Sequence, residues 1–271
     1  MKKFLSIVMI MVMAMSLAAC GNSAKTSTTS NKESSVDDLK SVKDKGKLVV
    51  GITDFEPMDY KDESGKWIGF DADMAVKFAE SLGVEVEFVE IEWDNKALEL
   101  EAGSIDCVWN GMTLTDEVTS AMSCSNAYCN NAQIVILPKD KVDSYPDVES
   151  MKALNFAVEA GSAGEAQAKE NGFNYTAVNN QASALMEVSA GTSDAAIIDS
   201  LMAAAMVGEG TSYENLTYTI GLNSEEYGVG FRKGSNLTEE LNKFFKTCYD
   251  DGSMKEVASK YGVQAALAEQ Q

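Results

Sequence analysis

One short pattern occurs twice in this chain and limits what it can fold into. Ala97-Leu98 leads to Ala102-Gly103, then to an acid at Asp106, then to an apolar strand ending at Asn110-Gly111. Ala184-Leu185 leads to Ala190-Gly191, then to Asp194, then to an apolar strand ending at Ile198-Asp199. Each copy reads as a helix, a glycine stop and a buried strand. The neighbouring segments continue the alternation. Lys47–Ile52 is a nearly continuous apolar strand of the kind buried in a parallel sheet. Residues 72–82 form a helix with Met74, Ala75, Phe78, Ala79 and Leu82 on one face and Gly83 as its stop. Residues 84–91 alternate Val84, Val86 and Phe88 with Glu85, Glu87 and Glu90, a strand signal, and a helix over 95–102 and a strand over 105–109 follow. This order predicts an α/β architecture with parallel sheets. Ligands of open α/β sheets bind beyond the carboxyl ends of the strands. Two similar halves facing each other place Asn110-Gly111 and Ile198-Asp199 in one cleft; the alternative is chance recurrence of a common βα pattern.

The N-terminus carries an address. Lys2 and Lys3 form a basic head, residues 4–19 are apolar except for Ser6 and Ser16, and small residues precede Cys20-Gly21. This is the anatomy of a bacterial export signal. Its Leu17-Ala18-Ala19-Cys20 ending resembles a lipoprotein box, in which the cysteine becomes the lipidated first residue of the mature chain. The expectation is a signal peptide at 1–19, a lipid on Cys20 and a flexible Ser/Thr/Asn/Lys tether at 20–35, with the folded part starting near Val36. Acyl chains then hold the protein on the extracytoplasmic face of the cell membrane. No second apolar run is long enough to span a bilayer.

Composition excludes several classes. The formal net charge is −20, which repels nucleic acid and anionic lipid. The chain has no histidine, so imidazole-based metal sites and triads with a histidine base are absent. It has five cysteines. Cys107 and Cys248 read as buried small hydrophobes. Cys124 and Cys129 are close enough in sequence to pair if the chain bends, and the spacings do not make a zinc site. No cofactor, metal or catalytic residue is expected.

Three stretches then carry a family resemblance: Gly51-Ile52-Thr53-Asp54-Phe55-Glu56-Pro57-Met58, Gly65-Lys66-Trp67-Ile68-Gly69-Phe70-Asp71-Ala72-Asp73-Met74, and Gly103-Ser104-Ile105-Asp106-Cys107-Val108-Trp109-Asn110-Gly111-Met112-Thr113-Leu114-Thr115. With Phe156-Ala157-Val158-Glu159-Ala160-Gly161-Ser162, residues 195–199, Glu226-Tyr227-Gly228-Val229-Gly230-Phe231-Arg232 and the 250–262 tail, the chain resembles the polar amino-acid-binding proteins of ABC transporters over almost all of 45–262. The resemblance implies a two-lobed periplasmic-binding-protein type II fold with two crossover strands. The first lobe would span 36–128 and 227–271, the second 132–223, with hinges near 129–131 and 224–226. It implies a monomer that captures an amino acid or related small amine-bearing solute and delivers it to an ABC permease. A sensing module for a membrane receptor, or a cleft enzyme on the same fold, are the other readings.

The resemblance also suggests a site. Phe55 matches an aromatic that stacks on the ligand side chain. Trp93 matches a second such aromatic, with core packing as its alternative. Asn110, Gly111 and Thr113 match a turn that offers backbone groups and a hydroxyl, with Thr113 otherwise a turn former. Ser162 matches a carboxylate-binding turn at a helix start. Asp199 matches the acid that pairs with a ligand ammonium, or else caps a helix. Glu159 and Asp54 stand where they can add negative charge. One departure matters. The family pattern after Thr113 includes an arginine that forks onto the ligand carboxylate, and Val118 stands in its place. Arg232, the chain's one arginine, matches a strand position outside the pocket. The acidic and aromatic inventory therefore suits a cation: an amine, an amino-acid derivative with a blocked carboxylate, or a strongly cationic amino acid. A lysine from elsewhere in the chain is the alternative partner for a free carboxylate.

Overall fold

The computed structural model describes residues 37–270. The signal peptide, the Cys20 lipidation site and the tether expected at 1–35 lie outside the described residues. Helix α1 (Asp38–Lys45) leads into β1 (Lys47–Ile52). A small hairpin, β2 (Tyr60–Lys61) and β3 (Trp67–Ile68), precedes α2 (Phe70–Leu82), β4 (Glu85–Glu90), α3 (Lys96–Ala102) and β5 (Cys107–Thr113). Then come α4 (Asp116–Ala121), β6 (Ser123–Cys124), β7 (Cys129–Asn131) and β8 (Gln133–Pro138). They are followed by β9 (Asn155–Glu159), α5 (Ala163–Glu170), β10 (Asn174–Val178), α6 (Gln181–Ala190), β11 (Ala195–Asp199), α7 (Ser200–Met206) and β12 (Leu216–Gly221). The chain closes with β13 (Glu225–Phe231), α8 (Leu237–Asp250) and α9 (Ser253–Lys260).

Two sheets share one plan. The first has the order β4-β1-β5-β13-β6, with β1 parallel to β4 and β5, and β13 returning antiparallel to β5. The second has the order β10-β9-β11-β8-β12, with β9 parallel to β10 and β11, and β8 antiparallel to β11. The repeated sequence pattern occupies corresponding places: α3 and β5 in one lobe, α6 and β11 in the other. Gly83, Gly103 and Gly191 close α2, α3 and α6 in left-handed backbone, as a glycine stop requires. The chain passes from the first sheet to the second between Asn131 and Gln133 and returns between Gly221 and Glu225. At these crossings β7 pairs with β13, Asn131 opposite Glu225 and Cys129 opposite Tyr227.

The first lobe packs α2, α8 and α9 against its sheet around Phe78, Trp109 and Phe245, with ring centroids 6.3 Å apart for Phe78–Trp109 and 5.4 Å apart for Trp109–Phe245. Phe156 and Phe173 stack at 4.3 Å in the second lobe. The strand expected at 105–109 starts at Cys107 and continues to Thr113, because β13 supplies antiparallel partners out to Tyr227. Cys124 and Cys129 do not pair. Cys124 lies opposite Gly230 and Cys129 opposite Tyr227 on the same neighbour, β13. Three rungs of a strand separate them by about 10 Å, beyond disulfide reach. Among the described residues no helix is long and apolar enough to cross a membrane.

Candidate functional site

A cavity of about 480 Å³ opens between the two sheets' carboxyl ends, a size that suits a small solute. Phe55, Trp93, Asn110, Gly111, Thr113, Glu159, Ser162 and Asp199 all line it. Asp54 does not. Its side chain is exposed beyond the end of β1, where Glu90 and Lys61 are its charged neighbours. A residue one step from Phe55 in a strand extension points to the other side.

The first lobe contributes a largely committed wall. Asn110 is buried, and its amide is fully engaged: the oxygen accepts from the Thr53 N–H at 3.1 Å and the Thr53 hydroxyl at 2.7 Å, and Nδ2 donates to Asp59 at 2.8 Å. The Gly111 N–H donates to Asp71 at 2.7 Å. The Gly111 N–H is therefore not offered to a ligand. The close approach at Gly111 is that of Phe55: a Cβ here would lie 2.4 Å from the Phe55 ring. Gly111 also has φ +53°, which favours glycine. Phe55 in turn meets Tyr227 edge-on at 6.3 Å. Val118 is buried in an apolar cluster with Trp93, Met112 and Met122. Arg232 does not line the cavity. It pairs with Asp38 at 2.8 Å and donates to the Ile105 carbonyl at 3.0 Å.

The second lobe contributes acid. Glu159 ends β9 and Asp199 ends β11, adjacent parallel strands whose carboxyl ends face the cavity. Both are almost wholly buried, at 3% and 4% exposure. Asp199 is a hub. Its Oδ1 accepts from the Tyr227 hydroxyl at 2.7 Å, from Gln133 Nε2 at 2.9 Å and from Asn131 Nδ2. Gln181 donates to Oδ2 and receives the Asp199 N–H at 2.8 Å. The same two amides also reach Glu225, Asn131 at 2.7 Å and Gln133 at 2.8 Å, and the Thr113 hydroxyl joins them at 2.9 Å. Asp199 stands at the N-cap position of α7 but makes no side-chain cap bond, so its oxygens belong to the cleft. Glu159 Oε1 has no hydrogen-bond partner. Burial, then the nearby Asp199, pushes the Glu159 carboxyl up to about 8, with Lys96 opposing. Burial, then Glu225, pushes Asp199 up to about 8, against the hydrogen bonds from Tyr227 and Gln181. Four donors converge on Asp199 and none on Glu159 Oε1, so Glu159 is the better placed of the two to hold a proton, while Asp199, raised alike, shares in the titration.

Ser162 caps α5, accepting from the Glu165 N–H at 3.1 Å, while Glu165 accepts the Gly161 N–H at 2.7 Å. Against this loop sits the first turn of α3. Lys96 Nζ donates to the Gly161 carbonyl at 2.9 Å and the Trp93 carbonyl at 3.2 Å, and lies 4.8 Å from the Trp93 ring centroid. Burial lowers the Lys96 pKa, with surrounding carboxylates led by Glu159 opposing. Sequence reasoning did not select Lys96, Gln181, Asn131, Gln133, Glu225 or Tyr227. The signals present were Lys96 three residues beyond Trp93, and the placement of Asn131 and Glu225 at the expected hinges.

These features define a class: a two-lobed α/β protein with two crossover strands and a small-solute cavity between the lobes. The chain belongs to the bacterial extracellular solute-binding proteins, family 3, whose profile matches residues 48–264. It is 31% identical to the ABC transporter glutamine-binding protein GlnH of Bacillus subtilis (strain 168), covering 96% of this chain and 97% of that one. It is 26% identical to the arginine-binding extracellular protein ArtP of the same organism, covering 96% and 98%. Among solved structures, the ancestral amino acid-binding protein AncCDT-1, described as a precursor of cyclohexadienyl dehydratase, superposes with a TM-score of 0.76 at 31% identity, over 83% of this chain and 99% of that one.

Proposed function

We propose that this protein is a lipid-anchored solute receptor that captures an amine-bearing small molecule, an amino acid or a cationic relative, and delivers it to an ABC permease. The observation that carries this reading is the buried pair Glu159 and Asp199 at adjacent strand ends, both lining a cavity of about 480 Å³, with Glu159 Oε1 left without a hydrogen-bond partner. An ammonium group supplies the donors that this oxygen lacks, and charge-assisted bonds to two carboxylates hold it. Trp93 and Phe55 add aromatic surface for the rest of the solute. In this reading the lobes are 36–128 with 227–271, and 132–223, with hinges near 129–131 and 224–226; the division into two sheets supports it. The glutamine- and arginine-binding relatives support the ligand class. Cys20 is the anchor, and the acidic monomer works at the extracytoplasmic face.

A thermal-shift and calorimetric screen of amino acids, their decarboxylated amines and betaines tests the ligand class, since a solute that binds only the native state raises its melting temperature. Binding of amine-bearing solutes is expected. Binding restricted to solutes without a cationic group overturns the reading. Turnover of a bound solute, followed by mass spectrometry, would favour a cleft enzyme with Glu159 as its acid. For the anchor, Cys20→Ala is expected to move the protein from the membrane fraction to the soluble one.

A further inference from the structure

We infer that Lys96 receives the carboxylate of the bound solute, in place of an arginine, and that the cleft therefore selects a free amino acid over the corresponding amine. The inference rests on the amine-binding reading above and adds the other end of the ligand.

Two basic side chains line the cavity among the described residues, Lys96 and Lys169. Lys169 is already paired with Glu165 at 2.9 Å, and its side chain is 58% exposed. Lys96 is half-buried and forms no ion pair with any carboxylate of the described residues. Its two hydrogen bonds go to neutral carbonyls, those of Gly161 and Trp93. An ammonium has three N–H donors, so one remains for a ligand. A cation drawn into a protected cleft with no carboxylate in contact is costly, and a carboxylate placed on that third donor lowers the cost. Neither of the other candidate positions supplies a cation: residue 118 is an apolar valine packed on Trp93 and Met112, and Arg232 is held by Asp38.

The placement also suits a zwitterion. Lys96 stands on α3 of the first lobe, whereas Glu159 and Asp199 end strands of the second. An amino acid bound by its carboxylate to Lys96 and by its ammonium to the acids bridges both lobes, and such bridging is what makes a ligand favour a closed state. A bare amine would lack the charged contact to the first lobe.

The test is calorimetry on the mature chain with the pairs L-arginine and agmatine, L-lysine and cadaverine, and L-histidine and histamine. Wild type is expected to bind the amino acid of the productive pair about tenfold or more tighter than its amine, the scale of one charged hydrogen bond. Lys96→Met is expected to remove that preference by weakening the amino acid while leaving the amine nearly unchanged, and Lys96→Arg to restore it. Lys96→Gln provides a second neutral variant, with near-ultraviolet dichroism as the check on folding. If wild type prefers the amine, or if the neutral variants weaken both members alike or neither, the inference is overturned; equal weakening makes Lys96 a lobe-to-lobe contact only. If wild type binds no member of any pair, the amine-binding reading itself fails, and the wild-type titrations alone reveal that.

Discussion

At the scale of single residues, Glu159 determines how the site responds to pH. Its carboxyl is raised to about 8 by burial first and Asp199 second. The unfolded chain releases this proton near the ordinary glutamate value, whereas the native, ligand-free protein keeps it until about pH 8. Across that window the native state binds more protons than the unfolded one, so its stability falls as pH rises. Below the unfolded value the contribution is complete and the dependence is flat. Melting temperatures of the ligand-free protein from pH 4 to 9 should follow this course, and Glu159→Gln, which cannot titrate, should lessen it and leave the share that Asp199, also raised to about 8, contributes. Ligand binding should run the other way. An ammonium must displace the Glu159 proton, so affinity rises with pH by up to about tenfold per pH unit for one displaced proton and levels off above about pH 8. Titrations in buffers of different ionisation heat would register the released proton directly. A wild-type affinity independent of pH between 6 and 8 would show that Glu159 is not displaced by the ligand.

At the scale of elements, the loop between β9 and α5 meets the start of α3, and this contact is tight. A Cβ on Gly161 would lie 2.6 Å from Asp94 Oδ1 and 2.8 Å from the Asp94 Cα. Gly161 also has φ +69°, so Gly161→Ala carries both backbone strain and a clash with the opposite lobe. Gly172 separates the two effects. It has the same φ of +69° with nothing within 4 Å of its would-be Cβ. Both alanine variants should lose about 1 kcal/mol of stability from backbone strain. Only Gly161→Ala should also weaken ligand binding, read by calorimetry, because only there does the added carbon hold the lobes apart. Equal affinities for the two variants would remove Gly161 from the closing contact. The same elements show what the sequence revealed. The glycine stops at 83, 103 and 191 and the apolar runs of β1 and β11 are local signals, and the fold follows from them. The candidate cavity lining was legible where it lies at strand ends, as with Glu159 and Asp199. It was not legible where partners come from afar: Thr113 bonds to Glu225, 112 positions away, and Lys96 to Gly161, 65 positions away. Nor can spacing tell that Asn110 and the Gly111 N–H are taken up by Asp59 and Asp71 inside the first lobe.

At the scale of the whole molecule, Asp199, the acid proposed to meet the ligand, is wired to both crossings between the lobes. Asn131 stands at one crossing and Glu225 at the other, and Asn131 Nδ2 reaches Asp199 and Glu225 together, as does Gln133 Nε2. Tyr227, on the returning strand, adds its hydroxyl. A proton or ammonium arriving at this corner therefore changes charge within one hydrogen bond of both crossover strands. A ligand shifts the open–closed balance only by the difference in its affinity for the two states. A zwitterion spanning Lys96 and the acids gains that difference across the gap, whereas an amine, without the charged contact to Lys96, gains less. Small-angle scattering should then show a smaller radius of gyration at saturation with the amino acid of the productive pair than with its amine. Lys96→Met should erase the contrast while the amine still binds. Glu225→Gln should leave the compaction intact but shift the pH–affinity curve to lower pH, because removing the second charge lets Asp199 ionise more readily. If the amine compacts wild type as far as the amino acid does, closure is driven from the acidic corner and hinge alone, and the bridge from Lys96 contributes affinity without contributing motion.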